Sequence, residues 1–269
     1  MPEQPPLIPE QRRERILQHL RRESVLSFRQ LATLLDVSHM TVRRDVMVLE
    51  EQGRVVATPG GARIAARLQV EPPRDEKTSA DHDEKVAMSA RAASFVQDGM
   101  TIYLDAGTTL QSMRSALTAV DDLTVVTNDL VIASSWLDHE TVDVILVSGR
   151  MDKRNQSAVG RLPALALREL SIDVAFLTTS SWDLRRGVTI PSEAKVEPKQ
   201  AAVRAASTTV LVAASSKYGS FGRYRVLDLA DLDRIVTDSG LPEGASHAIE
   251  SATGASVDIV DVHSADTED

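Results

Sequence analysis

The chain has 269 residues, 42% of them apolar, and a formal net charge of −9, which is the size and composition of one large globular domain or two unequal ones. It contains no cysteine, so disulfides and thiolate metal sites are excluded. No apolar run approaches the roughly 20 residues of a membrane-spanning helix, and "MPEQPPLIPEQRRER" lacks a signal-like apolar core; a cytoplasmic protein is expected.

The average charge hides an asymmetry. Residues 1–67 hold 11 arginines, no lysine and 8 acidic residues, a net +3, so the other 19 basic and 31 acidic residues leave the remainder at −12. A cationic head on an anionic body suggests a polyanionic partner for the head alone. Within the head, the first predicted helix covers 10–22, with Ile16, Leu17 and Leu20 on one stripe. The second opens on Ser27 with Gln30 three residues later, the spacing of a capping box, and Phe28, Leu31 and Leu35 follow as its inward stripe. After the turn "LDVS", Ser38 is placed to cap a third helix.

On that third helix Val42, Val46 and Leu49 fall within one arc, and Met40, Arg44 and Met47 point away from it with Thr41 and Arg43 on the shoulders. Asp45 would repel DNA if it faced outward, so it is expected to pair with an arginine of the same domain. Two β-prone runs flank "TPGG" in "GRVVATPGGARIA" and predict a hairpin wing. Residues 10–67 therefore read as a winged helix–turn–helix. Its candidate DNA-binding residues are Ser38, His39, Met40, Thr41, Arg43, Arg44 and Met47 at the exposed side of the third helix.

Residues 68–82 are polar and proline-interrupted, the composition of a linker. A helix is expected over 83–96, with Val86, Ala90 and Ala93 as its apolar stripe. From there to 261, β-rich runs at "MTIYLDAG", "LTVVTN", "VDVILVSG", "DVAFLTTS", "TVLVAAS", "DRIVTD" and "SVDIV" are mostly separated by helix-length segments. That alternation predicts an α/β domain with a mostly parallel, Rossmann-like sheet, whose ligands bind where loops leave the carboxyl ends of strands. In "DAGTT" a strand ends at Asp105, turns at Gly107 and starts a helix near Thr108. Free backbone donors and two hydroxyls there suit a phosphate, with Lys217 at another strand end as a mobile cation. Neither G-x-G-x-x-G nor a Walker motif occurs, so no dinucleotide or nucleoside triphosphate cofactor is expected. The six histidines are isolated, without a metal-binding spacing. The acidic end, 262–269, is expected to be disordered.

The pattern Arg12, Ile16, Leu20, then Ser38, Thr41, Val42, Arg43, Arg44, Asp45 and Val46 resembles the helix–turn–helix signature of the DeoR family of bacterial transcriptional regulators. "DAGTT", "TND", "GVTIPSEAKVEPKQAAVRAA", "SSKYG" and "IVTD" resemble that family's effector domain, and the likeness runs over about 11–260. The resemblance implies a C-terminal fold related to ribose-5-phosphate isomerase that binds phosphorylated sugars. Carried onto matching positions, it implies that Asp105, Gly107, Thr108, Thr109 and Lys217 contact the effector, with Asn128, Asp183 and Glu193 as further candidates. The sequence departs from the family at Ala57 and Pro59 of the wing, at Ser148-Gly149, and at Ala214 before "SSK".

The leading expectation is thus a repressor of a sugar-metabolism operon that binds operator DNA and a sugar phosphate effector. One helix–turn–helix reads one half-site, so a homodimer or homotetramer is expected. The rival reading is a phosphosugar isomerase in which Asp105, Asp183 or Glu193 supplies a general base.

Overall fold

In the computed structural model, which describes residues 7–23, 25–65 and 68–262, the head comprises α1 (Pro9–Glu23), β1 (Val25–Ser27), α2 (Phe28–Leu35), α3 (His39–Glu51) and the hairpin of β2 (Val55–Thr58) and β3 (Gly61–Ile64). Both helix starts follow the expected chemistry. The Gln30 amide donates to Ser27 Oγ at 3.2 Å while the Ser27 amide donates to Gln30 Oε1 at 2.9 Å, and the Thr41 amide donates to Ser38 Oγ at 3.2 Å. Ile16, Leu17 and Leu20 meet Leu31, Val42 and Leu49 in one core. The wing gains a third strand, because β1 pairs antiparallel with β3; at three residues it is too short to show a period in the sequence.

Asp45 turns inward. Only 3% exposed, it accepts bonds from Arg12 Nε and, at 3.2 Å, Arg12 Nη2, and Arg13 lies 3.7 Å away. The pair ties α1 to α3 and takes the carboxylate off the face that carries Arg43 and Arg44.

Residues 68–82, with the composition of a linker, are packed rather than free. They contain α4 (Arg74–Ser79), whose Arg74 is buried, donating to Asp129 Oδ2 at 2.6 Å and Gln111 Oε1 at 2.8 Å. Next comes α5 (His82–Ala93), and here the predicted stripe is corrected in part: Ala93 is buried as expected, but Val86 and Ala90 face solvent, and Lys85, Met88, Ser89 and Ala92 face inward. The face turns toward Lys85 because that side chain is drawn in to donate to the carbonyls of Lys77 and Ala80, and Ser89 donates to Thr109 O at 2.6 Å.

The remaining elements alternate. They are β4 (Thr101–Leu104), α6 (Thr108–Gln111), β5 (Thr124–Thr127), α7 (Leu130–Ser135), β6 (Asp143–Leu146), β7 (Arg150–Asp152), β8 (Ser157–Val159), α8 (Arg161–Arg168) and β9 (Ile172–Leu177). There follow β10 (Ser181–Asp183), β11 (Gly187–Ile190), α9 (Val196–Ala205), β12 (Ala206–Val212), β13 (Tyr224–Leu227), β14 (Arg234–Asp238), α10 (Ala245–Thr253) and β15 (Ser256–Val260). All seven predicted runs are strands of one sheet, ordered β15-β14-β12-β9-β4-β5-β6 and parallel throughout. Because both faces are covered, the strands read as near-continuous apolar runs. Ile102 and Leu104 pack toward Met88 and Ala92 of α5, whereas Tyr103 packs with Leu167 of α8 and Ala201 of α9.

The chain builds one half of the sheet outward from β4 through β5 and β6, and the other from β9 through β12, β14 and β15. The order reverses between β4 and β9, which is where loops diverge and leave a crevice at the carboxyl end. Two antiparallel pieces, β7-β8 and β10-β11-β13, frame that end. Apart from Val262, the acidic end expected to be disordered lies outside the described residues. Among the described residues no helix is long and apolar enough to cross a membrane.

Asp45→Ala strands the Arg12 guanidinium at a mostly covered site, and should destabilise the head by about 3 kcal/mol in denaturant unfolding. A change under about 1 kcal/mol would mean that the pair does not organise α1 against α3.

Candidate functional site

On α3, Met40, Arg43 and Arg44 are exposed, with Met40 at 67%. The Arg43 guanidinium carbon lies 5.5 Å from the Phe28 ring centroid, and His39 meets the same ring edge-on at 5.5 Å. Phe28 therefore props both side chains near the start of α3, where a recognition helix meets base edges. Ser38 and Thr41 hydroxyls are bonded to each other at 2.8 Å at the same end. Among the described residues no carboxylate is within ion-pair distance of Arg43 or Arg44, so their charge is uncompensated. Met47, exposed as expected, sits further along and lines a groove between the head and the larger domain.

In the larger domain the β4–β9 crevice encloses a cavity of about 220 Å³. Gly107, Thr108 and Thr109 wall it after β4, Thr178 to one side after β9, and Lys217 after β12. Gly107 is needed for closeness: a Cβ there would meet Thr178 Cγ2 at 2.6 Å. The helix predicted at Thr108 is a single α-turn that tightens into a 3-10 helix over Ser112–Ala116. Its first amides lack intrahelical acceptors, but so short a helix has little dipole, and the cations dominate the field.

Those cations exceed the expectation. Lys77, Lys195 and Lys199 line the cavity with Lys217. Lys195 and Lys199 stand at i, i+4 in "EAKVEPKQ", a spacing that puts both on one helical face and is the signal for them in the sequence. Lys77 comes from the docked segment 68–82, and only the tertiary structure brings it here. Their partners differ. Glu71 accepts from Lys77 Nζ at 2.6 Å and from Lys195 Nζ, and Asp152 lies 3.4 Å from Lys195. Lys199 donates to Asp105 and, at 2.7 Å, to Thr178 O. Lys217 has no carboxylate at ion-pair distance among the described residues.

Burial pushes the Glu71 carboxyl up, yet Lys195 and Lys77 outweigh it and pull it to about 2. This pairing stabilises the docked segment fully above the ordinary glutamate value, and the contribution is lost as pH falls toward 2. Burial, with Lys77 and Lys85 nearby, pulls the half-buried Lys217 down to about 8.

Four predicted effector contacts do not line this cavity. Asp105 lies beneath the cavity floor, 1% exposed, neutralised by Lys199 and accepting from the Thr178 amide at 3.1 Å. Asn128 is consumed by bonds to Tyr103 Oη and Ala158 O, both 2.9 Å, that pin β8 to the sheet. Asp183 accepts from Arg186 Nη1 at 2.7 Å in the groove beside the head. Glu193 is exposed in a shallow cleft with Arg150 and Glu197. The carboxylates of Asp105, Asp183 and Glu193 are thus dispersed rather than gathered around one reacting atom. Among the described residues no three His, Asp or Glu side chains converge as metal ligands.

Head and larger domain share contacts that the sequence does not announce. Arg63 on β3 donates to the carbonyls of Tyr218 and, at 3.4 Å, Ser216, the two neighbours of Lys217. Gly219, at φ +75°, lies so close to Val56 of β2 that a Cβ would sit 2.0 Å from Val56 Cγ2. The Leu68 amide donates to Phe221 O at 2.8 Å. Arg185 Nη1 donates to Gln52 O at 2.6 Å and Arg186 Nη2 to Gly53 O at 3.2 Å, covering carbonyls at the C-terminal end of α3.

Residues 12–67 match the family model for the DeoR-like helix-turn-helix domain, and residues 80–239 match that for the DeoR C-terminal sensor domain. An HTH-type transcriptional regulator of Haemophilus influenzae is 40% identical over 90% of this chain and 94% of its own. The HTH-type regulator YgbI of Escherichia coli K12 is 42% identical over 90% and 95%. A putative aga operon transcriptional repressor of Escherichia coli O157:H7 is 28% identical over 93% of each chain. Among solved structures, ribose 5-phosphate isomerase A of Neisseria gonorrhoeae is 17% identical, covers 54% of this chain and 56% of its own, and has a TM-score of 0.38, a likeness too slight to decide anything.

A sulfate ion stays a dianion across neutral pH, so its binding reports the Lys217 proton. Sulfate affinity should fall about tenfold between pH 7 and pH 9 in calorimetric titrations as Lys217 loses its charge, and Lys217→Ala should flatten the profile. A flat profile in the unmodified protein would show that Lys217 does not hold the anion.

Proposed function

This chain belongs to the DeoR family of transcriptional regulators, and from that membership we propose that it represses sugar-metabolism genes, with its operator affinity set by a phosphorylated sugar in the β4–β9 crevice. It is a regulator rather than an isomerase: relatives that match it over nine-tenths of its length are HTH-type regulators. The repressor reading is supported by the related protein named for the aga operon.

The observation that carries the proposal is the position of Lys217. It offers an uncompensated ammonium to the cavity, and the carbonyls on either side of it hold Arg63 of the wing. An anion that draws Lys217 acts on a backbone segment that the DNA-binding head already grips. For regulation to follow, the effector must bind one arrangement of head and sensor better than the other, since equal affinity for both shifts nothing. A cavity of about 220 Å³ suits a small phosphosugar. Two heads in a homodimer, or in a homotetramer, would read two half-sites one helical turn or a multiple apart.

Replacing Arg43 and Arg44 together with alanine should weaken operator binding at least about tenfold, by removing groove or phosphate contacts, and leave the far-ultraviolet circular dichroism unchanged. Lys217→Ala should bind operator as the unmodified protein does, but lose the affinity change caused by whichever sugar phosphate raises the melting temperature. Undiminished footprints from the double variant would remove α3 as the reading helix, and a retained effector response in Lys217→Ala would remove the crevice as the sensor.

A further inference from the structure

The crevice contains an anion of its own. Glu71 reaches from the docked segment 68–82 into the cavity wall and places its carboxylate between Lys77 and Lys195. Lys77 also donates to Asn155 Oδ1, and Asn155 Nδ2 donates to Asp152 Oδ2 at 3.0 Å, so two lysines and two carboxylates form a neutral, cross-bonded set. Lys199 and Asp105 form a second neutral pair. The one cation lining the cavity without a carboxylate partner, among the described residues, is Lys217.

From this arrangement we infer that Glu71 is a specificity-determining residue: it fills the second cation seat of the crevice and restricts the effector to a ligand with a single phosphomonoester. The inference rests on the effector reading given above and narrows its ligand class. The one phosphate belongs at Lys217, where charge is uncompensated. A second anionic group, as in a sugar bisphosphate or a phosphorylated sugar acid, meets the Glu71 carboxylate and must displace it from two ammoniums before gaining a partner. Like-charge juxtaposition of this kind is how a site rejects a close analogue. The sugar's neutral hydroxyls have no such conflict. Glu71 also lies on the segment leading from the wing to α4, so a ligand forcing it out would undock that segment as well.

The probe is inorganic phosphate, titrated calorimetrically into the full-length protein at neutral pH. The unmodified protein should bind one equivalent, and Glu71→Gln two, the second at the freed Lys77–Lys195 seat. Lys195→Met in the otherwise unmodified protein should bind more weakly, because Glu71 and Asp152 are then under-compensated, but should still take up one equivalent, since the occupied seat is at Lys217; this variant keeps the inference testable if Glu71→Gln folds poorly. Two equivalents bound by the unmodified protein, a single equivalent in both it and Glu71→Gln, or no equivalent bound by Lys195→Met would each overturn the inference. No phosphate binding by the unmodified protein would instead overturn the crevice as an anion site, and this inference with it.

Discussion

The junction of wing and larger domain centres on Arg63. Arg63 leaves the wing, lays its guanidinium on the Ser216 and Tyr218 carbonyls and reaches Ser220 Oγ at 3.4 Å. Its burial pushes its proton affinity down, a desolvation cost that these acceptors help to offset. Lys217 sits inside the same turn and lines the crevice. Val56 against Gly219, and Arg185 and Arg186 over the end of α3, complete a junction in which wing and recognition helix both rest on the sensor. With the head docked at these points, a displacement of the turn has somewhere to go; a head on a free tether would leave the crevice and the DNA surface energetically separate.

The second theme is local charge against the average. The larger part of the chain is strongly acidic, yet its crevice collects four lysines. Most of that positive charge is already answered by Glu71, Asp152 and Asp105, and Arg74 by Asp129. Such buried pairs add little net stability, because desolvation consumes the attraction, but breaking one is expensive. Their use here is positional. They fix where the interdomain segment lies and leave one ammonium unanswered where a ligand can reach it. In the head the same logic keeps Asp45 inward and leaves Arg43 and Arg44 free.

These facts bear on what could be read in advance. The seven strands, the two helix caps and the inward turn of Asp45 were legible because each rests on local pattern: apolar runs, a Ser-x-x-Gln spacing, and a carboxylate on a cationic surface. The docking of residues 68–82 was not. That segment has no apolar period, and its anchors at Asp129, Lys195 and Asn155 lie far along the chain. The face of α5 was read correctly only at Ala93 for a related reason: Lys85 and Ser89 point inward to bond carbonyls, so its buried stripe is partly polar. Of the eight effector candidates, the loop residues Gly107, Thr108 and Thr109 and the strand-end Lys217 meet at one cavity. Asp105, Asn128, Asp183 and Glu193 are spent on or placed at other contacts, which a motif cannot reveal because it marks a position and not a partner.

The account stands on the coupling of crevice to wing through the turn around Lys217, and amide hydrogen exchange with and without inorganic phosphate measures it most directly. Phosphate should alter protection in residues 216–221 and, through Arg63 and Gly219, in β2 and β3 of the wing as well. A change confined to the crevice, with the wing amides exchanging as before, would contradict the account.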